Sequence, residues 1–283
     1  MEHGNLSAAA AGSILIGDLR VNRLGFGAMQ ITGEGVWGAP RDHAASIAVL
    51  RRAVELGTTL IDTADSYGPH VSEELIAEAL HPYPDDLVIA TKAGFERSGP
   101  GRWEANRSPD HLRAACEGSL RRLRVDRIDL YQLHNVSGDW PLSESIGVLT
   151  ELRAAGKIRH IGVSNVTIAQ LAEARRHTEV VSVQNRYNLT DRHSEDVLDE
   201  CAREGIAFIP WFPLATGELA RPGNRLDRLA REHDAAPSQV ALAWLLARSS
   251  AMLPIPGTKS VAHLEENIAG AALSLTEEQR RAL

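Results

Sequence analysis

Cysteine is scarce. Only Cys116 and Cys201 occur in 283 residues, each inside a stretch with helical patterning. Two unpatterned thiols exclude a disulfide-stapled scaffold, and no Cys/His spacing matches a zinc site. Both read as small buried hydrophobes in a reducing, cytoplasmic setting. Long apolar runs are missing too. Val240–Ala247 is the longest, far below the ~20 residues of a membrane helix, so no membrane partner is expected. The opening Met1–Ser13 has no basic segment ahead of its short Ala8–Ala11 run. It reads as a flexible tail and not as a secretory signal. Runs of Lys or Arg are absent as well. The pairs Arg51-Arg52, Arg121-Arg122 and Arg175-Arg176 fall in helical patterns, and the net charge is −7, which argues against a nucleic-acid partner. Aromatic residues make up only 5%, so the place of each ring is informative.

What is present is a rhythm. After a small hairpin over Ile14–Val21 with Gly17-Asp18 at its turn, short β-branched runs alternate with amphipathic stretches. The strand candidates are Leu24–Ala28, Thr59–Asp62, Leu87–Thr91, Ile128–Leu133, Ile161–Ser164, Val180–Gln184, Ala207–Trp211 and Met252–Ile255. Helices are predicted to begin near Asp42, Val71, Pro109, Ser143, Thr167, Ser194, Arg225, Ser238 and Val261, with a last one over Thr276–Ala282. Ser108-Pro109 is an N-cap followed by Pro at the first helical position; Ser72 before two glutamates and Pro237-Ser238 are further entry signals. About eight βα repeats without a long Pro/Gly/Ser linker predict one α/β domain over residues 1–283, a (β/α)8 TIM barrel preceded by a β-hairpin. Gly25-Phe26-Gly27-Ala28-Met29-Gln30 approaches a dinucleotide fingerprint. The third glycine is missing, and a loop with Gly33, Gly35, Gly38 and Pro40 follows where a Rossmann helix should start.

In such a barrel, functional groups gather at the C-terminal strand ends. The second strand runs into Asp62-Thr63-Ala64-Asp65-Ser66-Tyr67-Gly68, the third into Thr91-Lys92, the fourth into Leu133-His134. A lone His or Lys there is commonly structural. Asp, Tyr, Lys and His on successive strands form a set with a specific chemistry. A phenol of ordinary pKa ~10 is a reluctant acid, and an adjacent ammonium favours its ionisation. Lys92 can supply that ammonium to Tyr67, Asp62 can hold Lys92 charged, and His134 can donate to a carbonyl oxygen. Together they suit proton donation to a carbonyl as hydride arrives at its carbon.

The chain resembles the aldo-keto reductase family over nearly its whole length, bacterial pyridoxal-reductase-like members included. The matching motifs are Asp62-Thr63-Ala64 through Tyr67-Gly68, Thr91-Lys92, Leu133-His134, Gly162-Val163-Ser164-Asn165, Gln184 with Tyr187-Asn188, Pro213-Leu214 and Ile255-Pro256-Gly257. The resemblance implies that Asp62, Tyr67, Lys92 and His134 are the catalytic tetrad of a carbonyl-reducing oxidoreductase. It implies an NADPH/NADP+ cofactor and a small aldehyde or ketone as partner. It places Ser164, Asn165 and Gln184 on the nicotinamide carboxamide, with Trp211 stacked on the ring. The residues alone also allow Ser164-Asn165 as a helix cap and Trp211 as a core aromatic. Phe212, Pro213 and Leu214 match the pyrophosphate contacts, although relatives often carry a small polar residue at Phe212. Ala28, Met29 and Gln30 fall on the cofactor side of the first strand end. Gly257, Thr258, Lys259 and Ser260 precede a helix start suited to an anion, and match the 2′-phosphate site. Glu266 and Asn267 match adenine contacts, and His263 stands where many relatives have arginine.

Substrate walls are expected from strand-end loops: Gln30 and Trp37 on the first, Phe95 and Trp103 on the third, Trp140 on the fourth, with Tyr67 and His134 beneath. Three Trp residues in loops either line a ring-accepting pocket, suited to a pyridoxal-type aldehyde, or anchor the loops. The chain ends at Leu283, so no further loop is expected over the pocket. Two rivals stand against the enzyme: an NADPH-binding sensor subunit of the same fold with little turnover, and a barrel hydrolase or lyase without nicotinamide.

Overall fold

The computed structural model describes residues 6–138, 140–215 and 225–283. A two-stranded hairpin, β1 (Ser13–Ile16) and β2 (Leu19–Asn22), turns at Gly17 with φ +61°. Then come β3 (Phe26–Gly27), β4 (Leu60–Asp62), β5 (Val88–Ala93), an extra hairpin of β6 (Phe95–Gly99) and β7 (Arg102–Ala105), β8 (Ile128–Leu133), β9 (Ile158–Ser164), β10 (Ser182–Gln184) and β11 (Ala207–Phe208). Strands β3, β4, β5, β8, β9, β10 and β11 pair in parallel in that order. Between them run α1 (His43–Glu55), α2 (Val71–Leu80), α3 (Pro109–Leu123), α4 (Leu142–Ala154), α5 (Ile168–His177) and α6 (Glu195–Glu204); α7 (Arg225–Glu232), α8 (Pro237–Arg248), α9 (Val261–Ala269) and α10 (Glu277–Ala282) complete the outer ring.

The expected eighth strand is an extended segment. Phe208 donates its N–H to Ala251 O (2.8 Å), Leu253 donates to Phe208 O (2.9 Å), and Gly25 donates to Pro254 O (3.0 Å). These three bonds close the (β/α)8 barrel. Pro254 has no N–H, so the ladder cannot lengthen there. Pro210 truncates the seventh strand in the same way, although Ile209 and Trp211 still donate to Val183 O and Asn185 O.

Side chains alternate along each strand. Leu60, Val88, Ala90, Leu130, Val181, Ala207 and Leu253 fill the barrel interior, and Ile16 and Val21 of the hairpin cluster with them. The opposite faces join the helices in the larger core. Helix starts follow the expected chemistry. Asp42 accepts from Ala45 N–H (2.9 Å), Ser108 from His111 N–H (3.3 Å), and Thr167 shares a capping box with Gln170.

Some expectations are corrected. Ser72 is not a cap: His70 precedes α2, and the buried Ser72 hydroxyl donates to Ala28 O (3.1 Å). Helix α4 begins one residue before Ser143, and α8 begins at Pro237, where Gln239 Oε1 accepts from Ala236 N–H (2.8 Å). The opening segment is held, not loose, where it is described. Ala8–Ala11 form a 3-10 turn, Ala8 is fully buried, and its N–H donates to Leu56 O (2.8 Å). Met1–Asn5, the rest of that stretch, lie outside the described residues. Cys116 and Cys201 are buried free thiols, each pushed up to about 12 by burial. No helix among the described residues is long and apolar enough to cross a membrane.

Candidate active site

The strand register builds the site. Lys92 on β5 lies opposite Gln132 on β8, Gln132 opposite Gly162 on β9, and Gln184 on β10 opposite Ser164 on β9. Each continues the inward face of its strand above the apolar interior, so the barrel has a greasy body and a polar crown. Gly162 makes room for this layer: a Cβ there would come within 2.9 Å of Gln132 Cγ.

Lys92 is fully buried, its ammonium 2.8 Å from Asp62 Oδ2, 2.7 Å from Thr63 O and 3.5 Å from the Tyr67 hydroxyl. Burial alone would push Lys92 down, but Asp62 and Tyr67, by charge and hydrogen bonding, carry it above its ordinary value. Asp62 Oδ1 accepts from Gln132 Nε2 (3.2 Å) and Gln184 Nε2 (2.9 Å), so this buried carboxylate is held on both oxygens. Tyr67 is pushed up by burial, against the pull of Lys92. Burial thus outweighs the ammonium, against the expectation that Lys92 makes the phenol more acidic, and the shift favours the protonated phenol. His134 is held well below its ordinary value by burial and then by the charges of Lys92 and Arg97, so its ring is neutral. Its Nδ1 lies 3.4 Å from Ser66 Oγ. With Nδ1 accepting there, the ring proton sits on Nε2 as a donor.

Tyr67, His134, Phe95 and Trp103 meet edge to face, with centroids 4.9–6.2 Å apart. They wall a cleft of about 430 Å³ that also takes in Gly27, Met29, Gln30, Asp62, Ser164, Asn165, Gln184, Trp211, Phe212, Pro213, Leu214, Ala215, Ile255, Pro256 and Gly257. Trp211 is fixed by its indole N–H on Asn165 Oδ1 (2.9 Å), and Asn165 Nδ2 donates to His134 O (3.2 Å). Ser164 Oγ donates to Gln184 O (2.7 Å). Asn165 and Phe212 both sit at left-handed φ, +59° and +60°. Such strain in non-glycine residues collects at ligand sites.

Of the expected site residues, Asp62, Tyr67, His134, Met29, Gln30, Ser164, Asn165, Gln184, Trp211, Phe212, Pro213, Leu214 and Gly257 share this cleft, as do Phe95 and Trp103, whereas Lys92 does not line it and is fully buried, bonded to Asp62 and Tyr67. Ala28 is fully buried behind it. Lys259 lines an adjoining cleft that shares Met29 and Gln30. Its ammonium has no partner among the described residues. Thr258 Oγ1 accepts from Ser260 N–H (3.1 Å), Ser260 Oγ caps α9 through His263 N–H (3.4 Å), Glu266 accepts from the Ser238 hydroxyl, and Asn267 is buried in α9. Trp37 and Trp140 do not line the cleft: Trp37 pairs with Gly68, and Trp140 is 42% exposed. Their loop-anchoring alternative describes Trp37, whose ring packs with Arg97.

Sequence reasoning missed Gln132, Ser66 and Arg97. Gln132 was legible, two residues before His134 and so on the same strand face.

A model of the aldo/keto reductase family matches residues 23–283. The chain belongs to the aldo/keto reductase family. It is thus an oxidoreductase of that family. Among its relatives, an uncharacterised oxidoreductase of Schizosaccharomyces pombe is 49% identical over 273 residues, 96% of this chain and 89% of that one. Pyridoxine 4-dehydrogenase of Escherichia coli is 46% identical over 275 residues, 95% and 96% of the two chains. An aldo-keto reductase of Klebsiella pneumoniae, crystallised with NADPH, superposes with a TM-score of 0.77 at 28% identity, over 92% of this chain and 88% of that one.

Proposed function

We propose that this barrel is an NADP-dependent alcohol dehydrogenase that reduces an aldehyde or ketone to the alcohol, with Tyr67 as general acid. One observation carries the reading: a buried Lys92 ammonium joins the Asp62 carboxylate to the Tyr67 hydroxyl, and that hydroxyl opens onto a cleft beside Trp211. The cleft fits a nicotinamide. It offers one indole plane pinned by Asn165, and Ser164, Asn165 and Gln184 beside it supply amide and hydroxyl groups. Gln184 Oε1 carries no bond among the described residues, which leaves an acceptor for a carboxamide N–H.

Bound NADPH supplies the hydride that reaches the carbonyl carbon. The protein does the rest. Tyr67 and the His134 ring donate to the carbonyl oxygen, and Tyr67 transfers its proton to that oxygen as the C=O π electrons move onto it. Lys92 stabilises the phenolate left behind, and Asp62 with Gln132 and Gln184 keeps that ammonium in place. Phe95, Trp103 and Trp211 exclude water and favour a flat, aromatic carbonyl compound such as a pyridoxal-type aldehyde. The test is a panel of carbonyls, including 4-nitrobenzaldehyde and pyridoxal, with NADPH and NADH side by side. NADPH-dependent turnover is expected. Tight NADPH binding without turnover across the panel sinks the reading and leaves a nucleotide sensor.

The unpartnered Lys259 gives the cofactor preference a handle. Lys259→Ala is expected to weaken NADPH at least ~10-fold and NADH by much less, because only NADPH carries the 2′-phosphate that an ammonium meets. Equal losses in Kd for the two nucleotides would remove the phosphate contact.

A further inference from the structure

The hairpin β6–β7 stands over the cleft, and one side chain ties it down. Arg97 commits all its guanidinium N–H groups to main-chain carbonyls. Nε donates to Arg102 O (2.8 Å), Nη1 to Val36 O and Ser66 O (both 2.9 Å), and Nη2 to Gly35 O (2.9 Å) and Gly99 O (3.4 Å). These acceptors come from the loops after the first, second and third barrel strands. The guanidinium Cζ lies 3.7 Å from the centre of the Trp103 ring and 5.8 Å from that of Trp37. No carboxylate pairs with Arg97 among the described residues, so ion pairing does not account for its place. It also supports a costly backbone: Val36, a β-branched residue, sits at φ +55°, and its carbonyl is held by Arg97 and by Gly68 N–H. Ser66, whose carbonyl Arg97 grips, immediately precedes Tyr67 and places its hydroxyl against His134.

We infer that Arg97 is a positioning and specificity-determining residue for the reductase reaction, fixing Trp103 as the ring-accepting wall of the cleft. The inference rests on the carbonyl-reductase reading above. It assigns the role to the planar fork and not to the positive charge. A lysine offers three donors from a point and no flat face, so it cannot span five carbonyls or stack on the indole. Substrates with a ring should therefore depend on Arg97, and small aliphatic aldehydes, which need no wall, should not.

The experiment compares the parent protein, Arg97→Met and Arg97→Lys with NADPH, using 4-nitrobenzaldehyde and propanal as substrates and tryptophan fluorescence for NADPH binding. For both variants, kcat/KM on 4-nitrobenzaldehyde should fall at least ~10-fold, mainly through KM, with propanal changed less than ~3-fold and NADPH affinity retained. A parent-like ratio of aromatic to aliphatic kcat/KM in Arg97→Lys overturns the inference, as do equal losses on both aldehydes. If Arg97→Met does not fold, the Lys variant decides alone. A parent protein that binds NADPH and reduces neither aldehyde refutes the reductase reading instead.

Discussion

Replacing Tyr67 with Phe should lower carbonyl turnover by at least ~10²-fold and leave NADPH affinity within a few-fold of the parent. The ring is 6% exposed and packs against His134 and Trp103, so the Phe side chain fills the same space and only the hydroxyl is lost. His134 remains as a donor to the carbonyl oxygen, but among the described residues only Tyr67 sets a transferable proton beside the Lys92 ammonium. The pH profile should separate this from a packing defect. Burial sets the phenol above its ordinary value of 10.0. The acid form therefore persists through the neutral range, and the reduction rate should be flat there and fall only on the alkaline side. The residual rate of the variant should lack that alkaline limb. Parent-like turnover in Tyr67→Phe would refute the acid role outright.

Lys92→Met should be both inactive and markedly less stable. The ammonium is fully buried and faces the Asp62 carboxylate at 2.8 Å. Removing one partner of such a pair leaves a buried charge with only Gln132 and Gln184 to solvate it, a loss on the order of 3–5 kcal/mol in unfolding free energy. Exchanging both partners for apolar residues of similar volume removes that penalty. The double variant Lys92→Met with Asp62→Leu should regain most of the stability in urea unfolding and none of the turnover. Recovery of activity in the double variant, or a stable single variant, would mean that the pair neither tunes Tyr67 nor carries a buried charge.

Much of this was legible in the chain because barrel strands state their chemistry at their ends. Asp62, Lys92 and His134 each terminate a β-branched or leucine-rich run, and alternation from Leu60, Ala90 and Leu130 already puts them on the inward face. Helix starts at Asp42, Ser108 and Thr167 were readable because short polar side chains cap N–H groups locally. The sequence was less clear where tertiary contacts decide. Ser72 looks like a cap but serves Ala28 O, 44 residues away in sequence and beyond any local pattern. The direction of the Tyr67 shift depends on how dry the site is, and a spacing of residues carries no measure of that. Arg97 was silent because its partners are main-chain carbonyls from three loops. The hairpin that bears it was read only as a strand-end loop; in the structure Phe95, Arg97 and Trp103 alternate in burial with Glu96, Ser98 and Arg102 around Gly101 at φ +67°.

The closure between the last and first strands has a consequence for how ligand and fold are linked. That joint is sewn by few stitches, one of them the Gly25 N–H on Pro254 O, and it runs directly under the cleft. The backbones there touch: a Cβ on Gly27 would lie 2.6 Å from Ile255 O, and one on Gly257 would run into Gly27 O. A dinucleotide laid across Gly27 and Gly257 would straddle this thinly bonded seam of the barrel and act as a hasp on it. Amide exchange at Gly25 and Leu253 should accordingly be faster than at Leu130–Leu133 in the free protein, and should slow selectively once NADPH is added. A seam as protected as the central strands before any nucleotide arrives would show that the barrel needs no such fastening.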